Sequence, residues 1–140
     1  MTLQRFIDAQ EDTYAQVVTE LREGEKRSHW MWFIFPQIQG LGHSPTARFY
    51  AIADLKEALA YLEHPVLGQR LNECARMIMA IQSKTATEIL GFPDDLKLCS
   101  SMTLFSAVSD IPVFQDVIDK YFDGIPDERT LKLIGVKPAQ

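Results

Sequence analysis

The sequence predicts an all-α fold: one compact multihelical domain with short connections. Apolar residues recur at helical spacings of three and four positions along most of the chain. Capping residues, prolines and glycines separate these segments, and no alternating strand pattern, internal repeat or linker appears. The chain has 140 residues and is 46% hydrophobic, which is enough for one packed core. We therefore expect a single helical domain over residues 1–140.

The first half of the chain contains one ambiguous segment among its predicted helices. Residues before Gly24 form one broken helix or two short ones, and Ser44, followed by a proline, begins a further helix. Asp54 opens a capping-box pattern for another helix, which ends at His64 and the proline after it. The apolar run from Trp30 to Phe35 fits a buried strand or a buried helix. We favour a short buried helix, because a lone strand would leave its backbone groups without partners.

The second half contains further helices bounded by capping or breaking residues. Thr85 and Glu88 form a capping box, and Gly91 ends the helix that they begin. Helices are expected over residues 66–82, 85–91, 94–109 and 112–122, with a last turn capped by Asp127.

Composition and charge exclude several classes of function. The net charge is −5 and the pI is near 5.1, so there is no broad basic face for nucleic acid beyond a local patch at Arg22, Lys26 and Arg27. The apolar run that ends at Phe35 is far too short to span a bilayer, and the N-terminal residues lack the pattern of a signal peptide. We expect a cytoplasmic protein that binds neither nucleic acid nor membranes.

Metal and cofactor chemistry has little support in the sequence. The histidines at positions 29, 43 and 64 lie far apart, and neither His-Glu-x-x-His nor Cys-x-x-Cys spacing occurs. Cys74 and Cys99 are expected to be reduced, buried thiols. A nucleophilic Cys99 with His29 or His43 stays an alternative, since such partners meet in space. We expect no metal and no cofactor.

The run from Lys26 to Gln37 is the main candidate for a functional site. It places a cation, a hydroxyl, an imidazole and two indoles close together, a combination suited to stacking and orienting a ring-bearing ligand. We expect Met31, Phe33, Ile34 and Phe35 to be core. The alternative is that the tryptophans are core as well and the polar residues cap helix ends. The predicted catalytic residue is His29, and the predicted ligand-binding residues are Lys26, Ser28, Trp30, Trp32 and Gln37.

Two further segments carry groups that suit an anionic ligand. The turn from Gly40 to Pro45 places two glycines before a helix start, where free backbone amides favour negative charge and His43 or Arg48 adds to it. Neither a Rossmann nor a P-loop motif is complete there, and an ordinary tight turn is the alternative. Hydroxyls in the helix from Asp94 onward point at a backbone carbonyl or a ligand, or form a packing face. The ligand-binding residues predicted from these segments are Gly40, Gly42, Lys97, Ser100 and Ser101.

A set of motifs spread along nearly the whole chain carries a family resemblance. These motifs are Lys26 to Gln37, Gly40 to Gly42, Ser44, Tyr50 to Ile52, Glu57-Ala58, Tyr61-Leu62, His64-Pro65, Leu67-Gly68, Arg70-Leu71, Gly91, Pro93-Asp94, Lys97, Ser100 to Phe105, Asp127 and Thr130-Leu131. With them the chain resembles the uncharacterised bacterial and fungal family numbered eighteen-ten among the domains of unknown function. The resemblance implies a multihelical fold and a shared pocket. Some members are labelled calpastatin, but such inhibitors act through flexible repeats, and this chain is repeat-free and rich in core residues.

Two functions fit these observations. The first is binding or turnover of a small anionic, ring-bearing metabolite of the nucleotide type in a pocket edged by Lys26 to Gln37. It requires His29, the Gly40 turn and Lys97 to converge on one open cavity. The alternative is a non-catalytic protein-interaction domain that uses the Ile125-Pro126 turn or the tail from Lys132 to Gln140. We favour the first function. Removing polar groups from water beside a buried apolar run costs free energy, so they are unexpected there if the run serves only as core.

Overall fold

Helices account for the regular structure of residues 2–136, which are the residues that this computed structural model describes. Those residues contain no strand, and one isolated parallel bridge joins Ile38 to Ile52. The predicted all-α class is therefore confirmed. Met1 and residues 137–140, including the end of the predicted C-terminal interaction tail, lie outside the described residues. The helices are α1 (Gln4–Glu11), α2 (Tyr14–Glu23), α3 (Met31–Ile34), α4 (Pro45–Phe49), α5 (Leu55–Glu63), α6 (Leu67–Ala80), α7 (Ala86–Leu90), α8 (Asp94–Ala107), α9 (Pro112–Tyr121) and α10 (Glu128–Leu133).

Side-chain caps start the helices where the sequence predicts them. Ser44, Asp54 and Asp127 each accept the backbone N–H of the residue three positions ahead, over 3.1, 2.8 and 3.1 Å. Thr85 and Glu88 form the reciprocal capping box, with hydrogen bonds of 3.0 and 2.8 Å. These caps satisfy backbone N–H groups that have no partner inside the first helical turn.

The ambiguous apolar run is a short buried helix, as predicted. α3 covers Met31–Ile34 and packs against α1 and α6. The chain then passes the parallel bridge, where Ile52 N–H donates to the Gln37 carbonyl and Gln39 N–H donates to the Ile52 carbonyl, both over 2.8 Å. This pair of hydrogen bonds fixes the start of the glycine-containing turn.

α8 lies at the centre of the domain. It packs against α5, α7, α9 and α10, and every residue from Leu98 to Phe105 is buried. A helix covered on all sides has no solvated face, so its hydroxyls at Ser100, Ser101 and Thr103 lie inside the protein. The first turn of α8, Asp94 to Lys97, includes surface residues such as Leu96, so this end of the helix can meet a ligand.

The helices are short relative to a lipid bilayer. α6 and α8 have 14 residues each. None of the helices in residues 2–136 combines the length and the apolar character that a membrane span requires.

Candidate functional site

The apolar run from Trp30 to Phe35 contains both buried and partly exposed side chains. Met31, Phe33, Ile34 and Phe35 are buried, which confirms that they are core residues. Trp30 is fully buried as well, and its ring packs 6.4 Å from the ring of Phe35. Trp32, by contrast, is partly exposed. Of the two tryptophans, Trp32 is therefore the one whose ring reaches the surface.

Glu20 is a fully buried carboxylate to which the sequence patterns do not point. It accepts hydrogen bonds from the backbone N–H groups of Arg27 (2.6 Å) and Ser28 (3.0 Å), and from the Ser28 hydroxyl (2.6 Å). The Trp30 indole N–H and the Gln16 amide complete the set, at 3.0 and 2.8 Å. Burial raises the pKa of Glu20, but the hydrogen bonds outweigh burial and lower it to about 2. The polar groups of Ser28 and Trp30, both predicted ligand-binding residues, are thus engaged by Glu20.

Lys26 and Lys97 share one carboxylate, Asp94, at the surface end of α8. Lys26 Nζ lies 2.9 Å from Asp94 Oδ2, and Lys97 Nζ lies 3.3 Å from Asp94 Oδ1. Each ammonium also lies over an indole ring: Lys26 is 5.3 Å from the Trp30 ring centroid, and Lys97 is 5.2 Å from that of Trp32. We call Lys26, Asp94 and Lys97 the lysine cluster. The lysine cluster contains two positive charges and one negative charge, so its net charge is positive.

An open groove adjoins the lysine cluster, between the first turns of α8 and the segment from Tyr121 to Arg129. Its volume is about 650 Å³, a size that suits a small metabolite. We call it the α8 groove. It brings together four residues predicted from separate motifs: Gln37, Gly42, Lys97 and Ser100.

The walls of the α8 groove differ in character. Leu96 is 55% exposed and Ile125 is 67% exposed, so each presents an apolar surface to the groove. The polar lining includes Lys97 and the carboxylate of Asp127. The Ser100 hydroxyl lies 3.1 Å from Asp127 Oδ2, the same oxygen that caps α10. Ser100 therefore connects α8 to the start of α10 beneath the groove.

Cys99 lines the α8 groove but is poorly suited to act as a nucleophile. Burial, reinforced by the nearby Asp127 carboxylate, raises the pKa of Cys99 to about 11. Its Sγ lies 3.6 Å from the carbonyl of Ile125. A thiol with this pKa stays protonated at neutral pH, and the thiolate is the reactive form.

The remaining predicted site residues lie elsewhere. His29 is exposed and does not line the α8 groove. Ser101 is fully buried, and its hydroxyl has no hydrogen-bond partner among the described residues. Gly40 lines a second cavity of about 390 Å³, the glycine-turn cavity, whose other lining residues include Arg5, Gly42, His43, Arg48 and Phe49. His29, Gly40 and Lys97 therefore do not meet in one cavity, so the convergence expected from the sequence is not found, although Gly42 borders both cavities. Of the run from Lys26 to Gln37, only Gln37 lines the α8 groove.

Histidine, cysteine and carboxylate side chains are the usual protein ligands of metal ions. Among residues 2–136, no three of them form a group that could hold a metal ion.

Comparison with known proteins identifies the fold and the family. The crystal structure of the conserved hypothetical protein Rv1873 from Mycobacterium tuberculosis has a TM-score of 0.94 and 51% sequence identity to this chain. The match covers 96% of this chain and 97% of that one. No curated protein matches the sequence significantly. The sequence profile described as "Protein of unknown function (DUF1810)" matches residues 1–134, so the chain belongs to this family, as its motifs predict.

Proposed function

We propose that the α8 groove binds a small anionic, ring-bearing metabolite of the nucleotide type. The observation that carries the proposal is the convergence of Gln37, Gly42, Lys97 and Ser100 on one open groove of about 650 Å³. These residues come from two regions far apart in sequence, 37–42 and 97–100. Ligand sites combine a concave surface with a few convergent polar groups. The free thiol of Cys99 suits a reducing compartment, so we place this ligand in the cytoplasm.

The charge at one end of the groove favours a single anionic group. The lysine cluster carries two ammonium groups and one carboxylate, and Lys97 is the member that lines the groove. An anion placed beside Lys97 meets the ammonium group of that residue, and Arg129 is the second cation of a lining that also contains the carboxylates of Asp123, Asp127 and Glu128. The Lys97 side chain keeps 23% of its surface exposed, so a ligand can reach it.

Other residues that line the groove suit a ring and its hydroxyl groups. Leu96 and Ile125 supply exposed apolar surface on which a flat ring gains burial. Asp123 and Glu128 also line the groove, and carboxylates accept hydrogen bonds from hydroxyl groups such as those of a sugar.

The proposal is for binding. His29 lies outside the lining of the α8 groove, and Cys99 is held as a neutral thiol. The groove therefore offers neither of these side chains as a base or a nucleophile.

A thermal-shift screen with nucleoside monophosphates and sugar phosphates tests the proposal. A ligand that binds only the folded state stabilises it by about 2.7 kcal/mol at a hundredfold excess over Kd. We expect a stabilising compound whose effect is reduced in both Lys97→Ala and Gln37→Ala. Lys56→Ala, which removes an exposed lysine of α5, should behave as the wild type. Absence of any stabilising compound, or equal shifts in Lys97→Ala and the wild type, would contradict the proposal.

One observation favours the alternative, a protein-interaction domain. Phe92, Leu96 and Ile125 are 75%, 55% and 67% exposed, and the last two line the same groove. Exposed apolar side chains grouped at a groove are typical of contact surfaces. If this is the function, Phe92→Ser and Ile125→Ser will abolish self-association or partner binding in sedimentation experiments, and metabolites will leave the melting temperature unchanged.

A further inference from the structure

The glycine-turn cavity is distinct from the α8 groove and has its own polar lining. It lies between α1, α4 and the start of α5, and its volume is about 390 Å³. That volume falls in the range of small-molecule sites. Gly42 borders both cavities, but Lys97, Gln37 and Ser100 line only the groove.

The turn contributes backbone amides that lack an internal partner. Within the described residues, no hydrogen bond engages the N–H groups of residues 40–43. Gly40 has φ +109°, a conformation that L side chains rarely adopt, so this backbone shape depends on glycine. An unpaired backbone N–H is a donor from which an anion can accept a hydrogen bond.

The cavity also contains a cation in excess. Arg5, whose side chain is only 6% exposed, is paired with Glu57 at 3.0 Å and donates to the carbonyls of Phe49 and Ala51, both over 2.8 Å. Arg48 is exposed, and no ion pair joins it to a carboxylate of residues 2–136. The positive charge of Arg48 is therefore uncompensated, although the whole chain carries a net charge of −5. A planar guanidinium group binds oxyanions through two parallel hydrogen bonds.

An aromatic ring completes the lining. Phe49 is 45% exposed and lines the cavity, and its ring is held edge-to-face against Tyr50 with 4.8 Å between centroids. A ring fixed by a neighbour and open on its other side offers a stacking surface at low entropic cost.

We propose that the glycine-turn cavity is a separate binding site for a phosphomonoester that carries an aromatic ring. Arg48 and the amides of Gly40 and Gly42 hold the phosphate, and Phe49 contacts the ring. Arg5 acts as a positioning residue, because it fixes the carbonyls on either side of Tyr50 and so the orientation of Phe49.

Titration of the ¹⁵N-labelled protein with inorganic phosphate and with phenyl phosphate tests this site by NMR. In the wild type, the amide signal of Gly40, which lines this cavity and not the α8 groove, is expected to shift saturably with both probes. Phenyl phosphate should bind more tightly than phosphate. Arg48→Gln should weaken both by about tenfold, which corresponds to about 1.4 kcal/mol. Arg48→Lys, which keeps the charge, should retain part of the affinity.

Matched variants separate this site from nonspecific effects and from the α8 groove. Arg22→Gln removes another exposed arginine, on α2, and should bind both probes as the wild type does. Lys97→Ala should also leave both titrations unchanged. Phe49→Ala should reduce the affinity for phenyl phosphate to that for phosphate. Non-saturable shifts, or equal affinity in Arg48→Gln and the wild type, would overturn the anion site, and equal binding of the two probes to the wild type would overturn the ring-bearing ligand.

Discussion

A single buried carboxylate, Glu20, connects the end of α2 to the segment that leads into α3. It replaces the lost hydration of its charge with hydrogen bonds from Arg27, Ser28 and Trp30. Gly24, at φ +73°, reverses the chain between donors and acceptor. Glu20 therefore holds the first residues of the run from Lys26 to Gln37 in place.

Replacing this charge is expected to destabilise the protein. Glu20→Gln keeps the size of the side chain but replaces one acceptor oxygen by an amide donor, which then faces the donors that Glu20 satisfies. We predict a loss of about 2–3 kcal/mol in the free energy of unfolding at pH 7, measured with urea. Glu11→Gln, a change at an exposed carboxylate, is the control and should stay within about 0.5 kcal/mol of the wild type. A loss no larger than that of the control would show that the Glu20 hydrogen bonds do not stabilise the fold.

The lowered pKa of Glu20 makes the free energy of unfolding depend on pH. Its pKa is about 2 in the folded protein, against about 4.3 in an unfolded chain. Because the folded value is lowered, the contribution is complete above the unfolded pKa and is lost as the pH falls toward 2. The full difference is worth about 3 kcal/mol. Between pH 6 and pH 2.5, the wild type should therefore lose more stability than Glu20→Gln, and parallel curves would contradict this assignment.

Contacts between single residues are the part of the site that sequence patterns do not reveal. Glu20 contacts Ser28 and Trp30 because the chain reverses direction at Gly24. The i,i+3 and i,i+4 spacings that predict side-chain contacts apply only within one continuous helix. The pairing of Lys26 with Asp94 joins positions remote in sequence. The exposure of His29 likewise depends on how the segment before α3 packs against the rest of the fold, which the local sequence does not determine.

At the scale of elements, the corner between α5 and α6 depends on a glycine. A Cβ added to Gly68 would lie 1.9 Å from the carbonyl oxygen of Leu62, which is backbone and cannot rotate away. Tyr61, Leu67 and Leu71 are buried near this corner, so separating the helices would disturb the core.

Gly68→Ala is accordingly expected to cost about 3 kcal/mol or more in the free energy of unfolding. Gly135→Ala is the matched substitution, because Gly135 has φ +79° and a Cβ added there would have no atom within 4 Å among the described residues. Only backbone strain of about 1 kcal/mol is expected there. Urea titrations of both variants check the difference, and a cost for Gly68→Ala as small as that for Gly135→Ala would refute the close-contact explanation.

Elements are the most predictable level of the structure, because their signals are local. The caps at Ser44, Asp54, Thr85 and Asp127 identify helix starts correctly, since a cap involves residues only three positions apart. The central position of α8 is not predictable in this way. Its polar residues at positions 100, 101 and 103 indicate a solvated or packing face, and only the surrounding helices show that they are buried.

At the scale of the whole molecule, seven of the eleven predicted site residues lie in three places. Lys97, Gln37, Gly42 and Ser100 line the α8 groove, Gly40 lines the glycine-turn cavity, and Ser28 and Trp30 are bound to Glu20. The run from Lys26 to Gln37 thus contributes both to the interior, through Ser28 and Trp30, and to the α8 groove, through Gln37. The groove is the location where residues from distant motifs meet, which makes it the central functional claim.

Mapping a nucleoside monophosphate by NMR tests this claim most directly. We predict saturable shifts at the amides of Gln37, Lys97 and Ser100, which line the α8 groove but not the glycine-turn cavity. Those shifts should persist in Arg48→Gln, which alters only the glycine-turn cavity, and disappear in Lys97→Ala. Shifts confined to other residues, or shifts at the groove that survive unchanged in Lys97→Ala, would contradict it.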